Sequence, residues 1–193
     1  MFLLRHPSYA QIEAFIDSQK GSVFAYPEVG ATQTAPPAGY RHDHNRIRLG
    51  SGSETYEQAC QALKAWKQFD LGWIELQRAN TPIAVGATVA VLAYHLGFWS
   101  LNAARIVYVI KEETEQKRFG FAYGTLPDHA ERGEERFSIE WNSSDDSVWY
   151  DILAFSRPNK LAPKLGYPLT RMFQRRFARD SMQRMAHIPH ASL

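Results

Sequence analysis

The chain has one cysteine, Cys60, in 193 residues. A lone thiol closes no internal disulfide, so packing and hydrogen bonds must hold the fold, and nothing argues for secretion. Charge of one sign is lacking as well: 22 Lys and Arg against 20 Asp and Glu leave a net +2. That balance gives no whole-molecule case for nucleic acid, which calls for a strongly basic face. The opening Met1-Phe2-Leu3-Leu4-Arg5 is too short an apolar run for a signal peptide. Repeats and low-complexity stretches are absent. So are a G-x-S-x-G nucleophile elbow and the P-C-x-x-C half of a zinc deaminase motif. One apolar run is long, PIAVGATVAVLAYHLGFW at 82–99, and by length alone it reaches the scale of a membrane span. Yet Ile83, Val85, Val89 and Val91 are β-branched and share one parity, and no Lys or Arg cluster sits beside the run to orient it. A buried strand turning near His95-Leu96-Gly97 accounts for it. The expectation is a cytoplasmic globular protein with no membrane span, no nucleic-acid partner and no cofactor.

The length fits a single domain, 1–193, with a core of ordinary size. Ser8 can cap a helix over Tyr9–Gln19 with Ile12, Phe15 and Ile16 on one side, and Gly21 ends it. Residues 27–52, with Pro36-Pro37 and several Gly and Thr, read as an extended, loop-like segment lying on the body. An amphipathic helix follows from about Glu54 to Phe69, with Tyr56, Ala59, Cys60, Leu63 and Trp66 on one face. Ser51 with Glu54, or Thr55 with Gln58, would form its capping box. The period then changes to two. Residues 83–94, Arg105–Ile110, the Phe119/Phe121/Tyr123 series, the Phe137/Ile139/Trp141 series and the Val148/Tyr150/Ile152 series read as strands of an antiparallel meander joined by polar turns. Pro158, Pro163 and Pro168 punctuate the way to a last helix ending near Met185, with Leu169, Met172, Phe173 and Phe177 as its apolar stripe. The chain thus divides into an N-terminal helix and extended segment (1–52), a core (53–185) and a frayed tail (186–193).

Helix, meander, long C-terminal helix is an α+β layout. The expected architecture is a curved antiparallel β-sheet packed against that last helix, with the N-terminal helical and extended segment outside the core. The small residues Gly120, Ala122 and Gly124 allow the sheet to curve, leaving room for a cavity under the helix. By element order this resembles the helix-grip, START-like architecture of Bet v 1 and polyketide-cyclase relatives. More specifically, LNAARIVYVI (101–110), RFGFAYGTLPDHAERGEERF (118–137), VWYDILAFSRP (148–158) and GYPLTRMFQRRFARDSM (166–182) resemble uncharacterised protein family 0548, a domain of unknown function. RIRLGSG (46–52) and AWKQFDLGW (65–73) extend the similarity from about Tyr26 to Met185. This resemblance implies very little chemistry and supplies no catalytic residues.

The residues offer three functional readings. A small hydrophobic or amphipathic ligand could occupy the cavity, its polar end oriented by Tyr123, Arg157 and Arg105, with Tyr150 and Trp141 among the aromatic walls. An enzyme could use the same cavity, with His129, Glu131 or Asp151 as general acid or base. An interaction protein could use Arg171, Arg175, Arg176, Arg179 and Arg184 on the last helix, although a solvated face explains them equally. The charges from Asp128 to Arg136 read as a solvated hairpin connection, with strand resuming at GEERF. His42 and His44 point the same way on an extended chain but, with no third ligand in reach of the pattern, read as loop polarity; no metal is expected.

Overall fold

The period-two segments form one twisted antiparallel sheet. The computed structural model describes residues 1–159 and 167–188. The elements run β1 (Phe2–Leu3), α1 (Tyr9–Ser18), β2 (Arg41–Ser51), α2 (Gly52–Lys64), β3 (Ile74–Gln77), β4 (Thr88–His95), β5 (Phe98–Glu113), β6 (Gln116–Thr125), β7 (Glu131–Asn142), β8 (Ser147–Pro158) and α3 (Tyr167–His187). Strand order is β2-β8-β7-β6-β5-β4-β3, with β1 paired to the start of β5. The 82–99 run is β4 and its hairpin turn, in which Leu96 and Gly97 both take positive φ, as a tight two-residue hairpin requires. No helix among the described residues is long and apolar enough to cross a membrane.

Residues 41–51, read from the sequence as loop-like, are an edge strand paired along its length with β8. The reading failed because the inward-facing positions Asp43 and Asn45 are polar, which hides the alternation that Ile47 and Leu49 continue. Ser51 precedes α2 as expected, but its side chain makes no cap bond; instead the Thr55 hydroxyl donates to the Ser51 carbonyl. α1 does carry its capping box, Ser8 and Gln11 each bonding the other's backbone N–H. The tail from 189 and the Pro163 link lie outside the described residues.

α2 and α3 cover the concave face. Tyr56, Ala59, Leu63 and Trp66 of the α2 region pack with Phe121, Phe137, Ile139, Val148 and Tyr150, and Phe177, Met182 and Met185 of α3 join the same core. Phe69 links the layers, its ring 5.2 Å from Phe177 and 5.7 Å from Phe137. Burial of rings at this scale is the main driving force for closing the helix on the sheet. The convex face carries a smaller core in which Ile12, Phe15 and Ile16 meet Leu92, Leu101, Ala103 and Leu126.

The chain between α1 and β2 also crosses the convex face, and a buried carboxylate fixes it there. Glu134 accepts from Tyr26 Oη at 2.7 Å, Gly30 N at 2.7 Å and Thr32 N at 3.0 Å, and from the Thr32 hydroxyl. Gly124 makes room for this: a Cβ there would lie 2.2 Å from Tyr26 Oη. Thus Gly124 of β6 admits the N-terminal segment against the sheet, a role beyond curvature.

Candidate functional site

α2 fills only one end of the concave face. At the other, where β7 begins and β8 ends, α3 stands over the sheet and leaves a cavity of about 500 Å³. One wall is apolar: Phe69, Trp73, Ile74, Val91, Phe173 and Phe177. The other is polar, and its acids come mainly from one strand. Glu131, Gly133 and Glu135 occupy alternate positions on β7, so all three present to the cavity. Gly133 is required by close approach of the neighbouring strand, since a Cβ there would sit 1.9 Å from the Phe155 carbonyl oxygen.

Among the described residues each carboxylate has one neutral hydrogen-bond donor. Tyr123, directly across on β6, donates its phenol to Glu135 Oε2 at 2.8 Å. Gln174 of α3 donates its amide to Glu131 Oε2 and also to Ser156 Oγ, at 3.0 Å. Among the described residues no Lys, Arg or His lies within ion-pair distance of either carboxylate. Burial therefore raises both acids to about 7; the Gln174 amide and Arg171 pull against this at Glu131, and the Tyr123 phenol does at Glu135. Asp43, also at the cavity, contrasts with them: Arg171 grips it with two bonds of 2.6 Å and holds its carboxyl below the usual range. Two histidines line the space as neutral rings. His129 is pushed down to about 4 by burial and by the nearby N-terminal ammonium, and His95 to about 4 by burial and Arg176.

Of the residues singled out from sequence, Tyr123, Glu131 and His129 come together at this cavity. The others do not. Asp151 is on the convex face, buried between Arg136 (3.0 Å) and His44 (2.6 Å). Arg157 is exposed, its guanidinium 4.4 Å from the centre of the Tyr40 ring. Arg105 ties down the N-terminal segment by donating to the Ser22 and Gln19 carbonyls at 2.6 and 2.7 Å. A bulge between Ile106 and Tyr108 turns Tyr108 to the same side as Arg105, where a regular strand would separate them. Tyr150 faces α3 but is spent on Ser181 at 3.0 Å, and Trp141 packs beside Tyr56 at the α2 end. His42 meets the Pro37 carbonyl, and among the described residues no group of three or more His, Cys, Asp or Glu is arranged to hold a metal.

The stretch from Asp128 to Arg136 differs most from its expected solvated hairpin. β7 starts at Glu131, and its charges alternate between two interiors: Glu131 and Glu135 to the cavity, Glu134 and Arg136 to the convex face. Glu135, read from the sequence as part of a solvated connection, lines the cavity with Glu131. The available signal was its parity with Phe137, which puts it on the same face as the core.

The chain is similar to known proteins in both sequence and fold. Residues 25–184 match a family described as a domain of unknown function, DUF1990. A UPF0548 protein of Dictyostelium discoideum is 41% identical over 96% of this chain and 94% of its own length. A UPF0548 protein of Deinococcus radiodurans is 37% identical, over 93% and 94%. Among solved structures, the Zhui aromatase/cyclase of Streptomyces sp. R1128 superposes with a TM-score of 0.54 at 7% identity, covering 78% of this chain and 94% of that one. A START superfamily protein of Mycobacterium smegmatis gives 0.51 at 12% identity, over 80% and 100%. Those identities speak for the helix-grip fold alone.

Proposed function

Because the chain belongs to the UPF0548 family, for which no activity comes with the name, its function has to be read from its own cavity, and we propose that it binds a small, predominantly apolar molecule between the sheet and α3. The carrying observation is the cavity itself: about 500 Å³, ring-lined on one side, with polar groups gathered on the other and a surface that is mostly apolar. Ligand sites commonly fall in this size range and have this composition. The apolar body would lie against Phe69, Trp73, Phe173 and Phe177, and the polar end would meet Tyr123, Glu135 and Glu131. Arg157, Arg105, Tyr150 and Trp141 have no part in this reading, since none lines the cavity. The test is native mass spectrometry of gently purified protein, together with displacement of an environment-sensitive naphthalene dye by apolar competitors. Dye binding with a single site, lost in Ala178→Trp, is the expected result. Wild type that binds neither dye nor any co-purified molecule would overturn the reading.

A second reading has its own support. A carboxyl near 7 both gives and takes protons at neutral pH, so Glu131 and Glu135 suit general acid–base chemistry in the same cavity. One protein of like fold is named an aromatase/cyclase. Asp151 is too remote for such a role, and His129 already accepts the Glu131 N–H through Nδ1 at 3.0 Å. A carrier returns its extracted ligand unchanged after incubation; an enzyme returns it altered, and Glu131→Gln would slow the change.

A further inference from the structure

The acid-bearing strand of the cavity wall is anionic in potential, and among the described residues no cation is paired with its two glutamates. Glu131 and Glu135 each spend one carboxylate oxygen on a neutral donor, Gln174 or Tyr123, and their Oε1 atoms make no hydrogen bond among the described residues. Both side chains are deeply enclosed yet line open space. Gly133 between them adds no side chain to fill the gap. An enclosed carboxylate is stabilised most by a cation that hydrogen-bonds to it, and no described residue supplies one to either glutamate. The nearest candidate, Arg171, is committed to Asp43 and Gln174. Arg175 and Arg179 also line the cavity, but neither forms an ion pair with the two glutamates, and Arg179 is held by Asp180 at 2.8 Å.

We infer that the polar end of the ligand is itself a cation: the cavity is built for an apolar molecule bearing a protonated amine, its N–H groups donating to the free oxygen of Glu131 or of Glu135. This rests on the cavity reading above and narrows it. A fatty acid or other anionic amphiphile would set its carboxylate against two acids. A neutral alcohol could donate one hydrogen bond but carries no charge to offset an ionised acid. An ammonium group does both, and its arrival shifts the half-protonated carboxyl it meets toward the ionised form. Binding at neutral pH therefore releases protons from the protein. The other ionisable groups facing the pair do not reverse this sign. Tyr123 on β6 and Tyr150 on β8 have their phenols driven up by burial, and His129 and His95 are neutral above about 4. Asp43 on β2 stays ionised against Arg171.

The experiment is calorimetric titration of the intact chain with decylamine, decanol and decanoate, three probes of one chain length below their aggregation limits. Each titration is run at about pH 6 and pH 8, in two buffers of different ionisation enthalpy. The expected order at pH 8 is ammonium tighter than alcohol by about tenfold or more, the scale of a hydrogen bond to a charged group, with carboxylate weakest. Ammonium affinity should fall on going to pH 6 while alcohol affinity holds, and the buffers should report proton release near pH 7. In Glu131→Gln with Glu135→Gln the ammonium-to-alcohol ratio should approach one. Alcohol or carboxylate binding as tightly as ammonium would overturn the inference and leave the apolar cavity standing. Failure of all three probes to bind would overturn both. Should the double variant not fold, the order of the three probes on wild type decides alone.

Discussion

At the scale of single residues, burial makes the two acids and the two histidines of the cavity pull stability in opposite directions. Glu131 and Glu135 titrate at about 7 in the folded chain against 4.5 when free, so their contribution is complete at low pH and is lost as pH rises through 7. His129 and His95 titrate at about 4 against 6.5, so the unfolded chain binds protons that the folded one refuses, and stability rises with pH across that interval. The effects offset one another between 4.5 and 6.5, and the fall due to the acids emerges just above. Glu131→Gln with Glu135→Gln should therefore give a urea midpoint that climbs from about pH 5 to 6.5, where wild type is nearly flat. His129→Asn should tilt the same curve downward. Gly133 offers a steric counterpart: with a Cβ 1.9 Å from the Phe155 carbonyl, Gly133→Ala should cost about 3 kcal/mol in a denaturant titration.

At the scale of elements, two charged contacts decide where long pieces of chain lie. The Arg171–Asp43 pair, with two bonds of 2.6 Å, fastens the start of α3 to the edge strand β2. Arg171→Ala leaves Asp43 half-buried without that partner, and should lower stability by about 3 kcal/mol while exposing the α3 end to protease. Glu134→Gln should act on the opposite face. It weakens four bonds to Tyr26, Gly30 and Thr32, so cleavage within residues 27–40 should accelerate even where global stability changes little. These contacts also mark the limit of what the sequence could tell. β6 and β8 were legible because large apolar side chains recur at every second position from Phe119 to Tyr123 and from Val148 to Ile152. β2 was not, because its inward side begins with Asp43, whose reason is an arginine more than a hundred residues later. The charges of β7 read as solvated because period-two patterning assumes one wet face. Here both faces are covered, one by a cavity and one by the N-terminal segment.

At the scale of the whole molecule, the cavity depends on contacts between chain ends. β2 must find β8, and α3 must then close over the strands, so the ordering loops are long and their entropy is spent before packing offsets it. Refolding followed by Trp fluorescence should accordingly fall in the millisecond-to-second range. A ligand that fills the space under α3 should raise the melting temperature in proportion to the logarithm of its concentration, as binding to the folded state alone requires. The edge strand has a last consequence. β2 ends the sheet with an outer rim of backbone groups that no described strand covers, yet the arginines Arg41, Arg46 and Arg48 and the imidazoles of His42 and His44 along it are all exposed. A second copy approaching edge to edge would have to bring the same row of charges against itself, and such repulsion guards an open strand from polymerising. The charges that tempt a metal-site reading would then serve as a fence, and threonine in place of Arg41, Arg46 and Arg48 should turn a clear solution turbid on gentle warming.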